Sequence, residues 1–175
     1  MEKDWGAAIV FVLKMEGGLT EDPADPGGLT KYGISQKSYP NLDIRNLTED
    51  QAREIYKKDY WLPCSCNDLP TPFAIAVFDT AVNQGHTKAK RLLQIALDVP
   101  VDGVIGDKTI AAAFKAPPRQ VKKYLAERLA AYARLMTENP KLLVFAVNWS
   151  FRVIYLAELI LNPSILSGEE KTNGS

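Results

Sequence analysis

The stretch Met15-Glu16-Gly17-Gly18 constrains this chain more than any other, because it ends an apolar helix on a carboxylic acid. Ahead of it, Trp5, Ile9, Val12 and Leu13 recur at i, i+4, i+7 and i+8, one stripe of an amphipathic helix from Lys3 to Met15. Glu16 falls four residues beyond Val12 and continues that stripe. Gly17 and Gly18 then stop the helix, since glycine enters the left-handed cap conformation without a Cβ penalty. An acid at a helix C-terminus meets an apolar face, the negative end of the helix dipole and the acids downstream, all of which disfavour its charge. No cationic side chain is immediately adjacent in sequence to neutralise it.

The segment after Glu16 suits acid/base chemistry. Residues 19–34 hold Pro23, Pro26, Gly27 and Gly28 between short polar and apolar segments, which predicts a β-hairpin or small sheet with a tight turn. Asp22 and Asp25 each precede a proline, where an aspartate commonly caps its own backbone. Paired with Glu16 they gain a second meaning, because a glycosidase needs one protonated carboxyl for the leaving oxygen and one ionised carboxylate to activate water or attack carbon. Thr30 could orient a water molecule or be an ordinary strand residue, and Tyr32 could line a sugar site or the core.

The rest of the chain reads as helices. Thr48 and Gln51 form a capping box opening a helix through Ile55, Tyr56 and Tyr60 that stops before Pro63, and Leu62 to Pro70 is expected to be loop. Thr71 is the expected N-cap of a nearly all-apolar central helix, with Pro72 at its first turn and Gly85 at its end. Within it Asp79 is expected to be buried and hydrogen-bonded, while Asn83 and Gln84 at its end could face a sugar. His86 is a loop or cap residue. Further helices are predicted over Lys88–Val99, from a cap at Asp107 to Phe114, and after Pro117-Pro118 with Val121, Tyr124, Leu125, Leu129, Tyr132 and Met136 inward. The last one begins at Asn139-Pro140. Its run from Leu142 to Leu161 is interrupted by Asn148, Arg152 and Glu158, and each charge costs ~2.5–3.5 kcal/mol near a bilayer centre, so a core helix is expected rather than a membrane span. Trp61, Tyr60 and Trp149 at helical spacing belong more often to cores than to sugar platforms.

Composition narrows the function classes. At 175 residues and 46% hydrophobic the chain can bury a core without disulfides or metals. Twenty-one basic and twenty-one acidic side chains leave no net charge, which removes the footprint of a general nucleic-acid binder. Cys64 and Cys66, one residue apart, read as free thiols in a reducing compartment, and a single histidine builds neither a zinc quartet nor a triad. No metal or other cofactor is expected. Residues 1–15 lack the marks of a cleavable secretory signal, so synthesis in the cytoplasm is expected, and Ser167–Ser175 reads as a flexible polar tail.

Glu16-Gly17-Gly18, then Asp22-Pro-x-Asp25-Pro-Gly-Gly-x-Thr30, then Tyr32-Gly33-Ile34, resembles the signature of the glycoside hydrolase family 108 muramidases, lysozyme-like enzymes of phages, prophages and bacterial secretion loci. Ala52 to Trp61, Asp79 to Gly85, and Leu92-Leu93-Gln94 through Asp102-Gly103-Val104-Ile105-Gly106 with Thr109 are similar to the rest of that family, including its peptidoglycan-binding helical region. The resemblance implies a mainly α, lysozyme-like domain with a small β-hairpin at the active-site cleft. It divides the chain into a catalytic region at 1–87, a peptidoglycan-binding-like region at 88–166 packed with it as one unit, and the tail at 167–175. The implied activity is hydrolysis of the β-1,4 bond between N-acetylmuramic acid and N-acetylglucosamine, by a monomer acting in the periplasm or cell wall after export by a holin-like or other secretion partner. The same stretch resembles the phage-lysozyme pattern of glutamate, eight residues, acid, five residues, threonine, except that four residues separate Asp25 from Thr30. By that spacing Asp25 is the second carboxylate, with Asp22 the alternative. A lytic transglycosylase acting on the same bond, or a non-catalytic peptidoglycan-binding accessory, are the competing readings.

Overall fold

The computed structural model describes residues 2–21 and 28–162, so Asp22, Asp25 and the tail at 167–175 lie outside the described residues. Helix α1 spans Glu2–Glu16 and buries Ala8, Ile9, Phe11 and Val12, while Trp5 meets Trp61 and Phe78 edge-on. It stops where the glycine pair predicts: Gly17 takes φ +79 and its N–H donates to the Leu13 carbonyl at 3.2 Å. Strands β1 (Thr20–Glu21), β2 (Leu29–Lys31) and β3 (Ile34–Ser35) come next as a three-stranded antiparallel sheet in that order. Thr20 pairs with Thr30 and Thr30 with Ser35, so the expected hairpin carries a third strand.

Helix α2 (Glu49–Tyr56) opens on the predicted capping box, with the Gln51 N–H donating to Thr48 Oγ1 and the Thr48 N–H to Gln51 Oε1. It does not run on to Tyr60 as an α-helix. A π-helical turn over Lys57–Trp61 loosens it, and two 3₁₀ turns at Leu62–Cys64 and Cys66–Asp68 occupy the expected loop. The wide turn directs Trp61 inward to 1% exposure, where its indole N–H bonds Asn67.

Helix α3 (Thr71–Gln84) is the hub, buried from Phe73 to Ala81 and packed by α1 and by the later helices. Its N-cap is Pro70 and not Thr71, because the Thr71 hydroxyl is taken by Asp4 of α1 at 2.9 Å. Helix α4 (His86–Leu97) runs to a left-handed Asp98, and α5 (Asp107–Lys115) is preceded by Gly106, so Asp107 is the first helical residue rather than a side-chain cap. The turn between them is tied to α4 by Gln94, whose amide bonds Asp102 Oδ1, the Val104 carbonyl and the Gly103 N–H.

Helix α6 (Pro118–Glu138) buries Val121, Tyr124, Leu125 and Tyr132 as expected, but Leu129 is 41% exposed and Arg128 beside it is fully buried. A 3₁₀ turn at Pro140–Phe145 leads into α7 (Ala146–Leu161). Pro140–Leu161 is long and apolar enough to cross a membrane by length and composition, with mean hydropathy 1.5. It is a core helix on one face only: Arg152, Val153, Leu156 and Ile160 are buried, while Leu143, Val144, Val147, Phe151, Ile154 and Tyr155 are exposed. The inward face is set by the ion pairs of Arg152, and the outer one is apolar without a covering element among the described residues.

Among the described residues a buried cluster runs from Ala8 through α3 to Ile160. Inside it Cys64 and Cys66 are free and buried, and burial pushes the Cys64 thiol up to about 11 and Cys66 well above the usual range. At pH 8 roughly a thousandth of Cys64 would be thiolate, the reactive form. Both thiols are expected to resist iodoacetamide in the native protein, reacting at least ~100-fold faster after unfolding in urea, as mass spectrometry of the alkylated chain would show.

Candidate active site

The acid predicted from sequence sits where α1, the sheet, α2 and α7 converge. Glu16 is the last residue of α1, and its side chain keeps 24% exposure. Gly33, in the bend between β2 and β3, lies directly against it. A Cβ built on Gly33 would meet Glu16 Cβ at 2.8 Å, Glu16 Cγ at 2.9 Å and the Tyr56 hydroxyl at 2.6 Å, in a backbone at φ +76. Only glycine fits between the acid and Tyr56. The Tyr56 hydroxyl donates to the Tyr32 carbonyl at 2.8 Å, which anchors α2 to the bend. Burial and then the nearby Glu16 raise the Tyr56 phenol, and burial, Asp59 and Glu16 do the same for Tyr60, so both remain protonated donors.

The neutralising cation that sequence adjacency did not offer comes from α7. Arg152 Nη1 donates to Glu16 Oε1 at 2.8 Å, across a separation of 136 residues. The same guanidinium gives Nε and Nη2 to Asp79 Oδ1 at 2.9 and 2.7 Å, and Arg128 Nη1 reaches Asp79 Oδ2 at 2.6 Å. Arg128 also donates to the Tyr132 hydroxyl, which in turn donates to Asn83 Oδ1. Asp79 is thus the buried, hydrogen-bonded aspartate expected. Burial alone would raise its carboxyl, and the guanidinium groups of Arg128 and Arg152 outweigh burial and hold it below the ordinary carboxylate range.

The remaining sequence candidates fall in different places. Thr30 stands in the middle strand of the sheet, between Thr20 and Ser35. Tyr32, in left-handed conformation at φ 53, lines a groove of about 410 Å³ with Gly17, Gly18, Lys14 and the ion-paired Glu49 and Arg53. Asn83 joins the acid only through the chain Tyr132, Arg128, Asp79, Arg152, and Gln84 has both amide atoms enclosed without a hydrogen-bond partner among the described residues. Trp61 and Trp149 are packing residues, Trp149 stacked on Tyr132 at 4.6 Å, and His86 stacks on Tyr60 with a ring nitrogen on the Asp59 carbonyl. Sequence reasoning does not place Arg152, Arg128, Tyr56 or Gly33 beside the acid. A signal for the arginines is present: a buried aspartate in an all-apolar helix demands cations, and Arg128 and Arg152 each interrupt an apolar face.

Gly33→Ala is expected to lower the unfolding free energy by about 1–2 kcal/mol from the left-handed backbone alone. It should also lower turnover at least ~10-fold by pushing the Glu16 side chain aside. Denaturant melts and rate measurements on the same preparation separate the two effects.

The fold is mainly α and lysozyme-like, with a glutamate at the end of its first helix beside a small sheet, and the family match of this region supports a glycoside hydrolase. Residues 9–85, which hold Glu16, the sheet and α3, match the family described as Glycosyl hydrolase 108. Among solved structures the chain is similar to the one described as Structure of Brucella abortus SagA, at 29% identity and TM-score 0.77, over 92% of this chain and 95% of that one. No curated protein matches.

Proposed function

We propose that this chain is an N-acetylmuramidase that hydrolyses the β-1,4 bond between N-acetylmuramic acid and N-acetylglucosamine in peptidoglycan, with Glu16 as general acid. The observation that carries the reading is the seat of Glu16: a partly exposed carboxylate on a helix end, walled by Gly33 and Tyr56 and gripped at one oxygen by Arg152. Such a group can present its other oxygen to a glycosidic oxygen and protonate the leaving sugar. Asp25, with Asp22 as the alternative, is the partner carboxylate in this reading. Both stand between β1 and β2 in sequence, and Thr30 on β2 would orient the attacking water. A glycan-strand substrate places the action in the periplasm or cell wall.

The test is mass analysis of muropeptides released from purified sacculi. Strands ending in reducing N-acetylmuramic acid are expected. Anhydro-muramic ends would make the protein a transglycosylase, reducing N-acetylglucosamine ends would make it a glucosaminidase, and intact sacculi would leave a wall-binding accessory.

A further inference from the structure

We propose that Arg152 is the positioning residue of the reaction and dictates which oxygen of Glu16 carries the catalytic proton. The inference rests on Glu16 being the general acid. It concerns a residue outside the 9–85 match, so the family likeness does not assign it.

A guanidinium has N–H donors and no acceptor. The hydrogen bond from Arg152 Nη1 to Glu16 Oε1 is therefore kept at full strength on protonation of the carboxyl when Oε1, as the carbonyl oxygen, is the acceptor and the proton sits on Oε2, because a carboxylic O–H oxygen accepts more weakly than a carbonyl. Among the described residues no group bonds Oε2. Arg152 thus holds the acid in one orientation with the proton on the oxygen it does not grip, which a glutamate with three rotatable bonds would not keep unaided. The grip is itself rigid. Nε and Nη2 are committed to Asp79, the Asp79 carboxylate is fully buried, and its second oxygen is held by Arg128, which is fully buried and bonded to Tyr132. No lysine could serve in its place, because one ammonium point charge lacks the planar fork that engages Asp79 with one edge and Glu16 with the other.

Arg152→Lys in the full-length chain keeps a cation beside Asp79, and Arg128 remains as the partner of that carboxylate. The expected result is a folded variant whose kcat falls about 10²-fold, the size associated with a misplacement of about 1 Å, while KM moves less than about threefold. In Arg152→Ala, added guanidinium ion at non-denaturing concentration is expected to restore part of kcat, and methylammonium at the same concentration is not. Wild-type kcat in a folded Arg152→Lys overturns the proposal. So does a loss confined to KM, or a loss that tracks the unfolded fraction, or equal rescue by the two cations. Glu16→Gln is measured alongside: if it retains activity, the reading of Glu16 as the acid has failed, whereas an inactive Glu16→Gln with a fully active Arg152→Lys sinks only the role of Arg152.

Discussion

Glu16→Gln is expected to remain folded and to lose activity on purified sacculi by roughly 10²–10⁴-fold, the contribution of general acid catalysis. Glutamine keeps the length of the side chain and an amide oxygen that can accept from Arg152, and Arg152 keeps Asp79. The transferable proton alone disappears. Stability near pH 7 should change by no more than ~1 kcal/mol, since the Glu16 end of the ion pair is partly exposed and such pairs are screened. Reducing-end release and a urea melt on one preparation decide the matter. Activity within about tenfold of the parent would move the acid to another residue.

Asp79→Leu is expected to have the largest effect on stability, about 3–5 kcal/mol, enough to unfold a marginal chain. The substitution fills the space but leaves the fully buried Arg128 with no carboxylate and Arg152 with Glu16 alone. The pH dependence has a definite sign. Asp79 is held below its ordinary value of 3.8, so its ionised form stabilises the fold above that pH, and the stabilisation is lost as pH falls through the unfolded and then the folded value. The parent chain should therefore lose stability steeply below about pH 4, and Asp79→Leu, if it folds, should show a shallower dependence over the same range. Denaturant melts at a series of pH values check both. A variant as stable as the parent at neutral pH would show that the buried network contributes no net stability.

Local chemistry is legible in the sequence where neighbours along the chain set the structure. The stop at Gly17, the capping box of Thr48 and Gln51, the burial of α3 and the isolation of Asp79 within it are of this kind. Periodicity errs where a distant charge overrides hydropathy. On α6 the apolar stripe favours Leu129, yet Asp79 needs a cation and the buried position goes to Arg128. The polar interruptions at Asn148, Arg152 and Glu158 assign α7 to the core rather than to a membrane, and composition does not reveal how many sides a helix has covered. The cap motif misplaces Thr71 because it is local, while the actual partner of that hydroxyl, Asp4, is 67 residues away. Of the site itself the glutamate and its glycine turn are readable. The sequence marks Arg152 as a partner for Asp79, but not as the group that seats the glutamate, since nothing within a helical turn of Glu16 points to α7.

The distance between Glu16 and Arg152 has a temporal side. A ribosome adds about 5–20 residues per second, so the 136 residues between them correspond to on the order of ten seconds of translation. During that interval the emerging chain holds α1, the sheet and α3, the whole of the segment that matches the hydrolase family, with its carboxylate unseated. If Arg152 does position the acid, full cutting competence arrives only with the docking of the last helix. Products of early termination, or of cleavage ahead of Ala146, would then cut at least ~10²-fold more slowly however completely they retained the family segment.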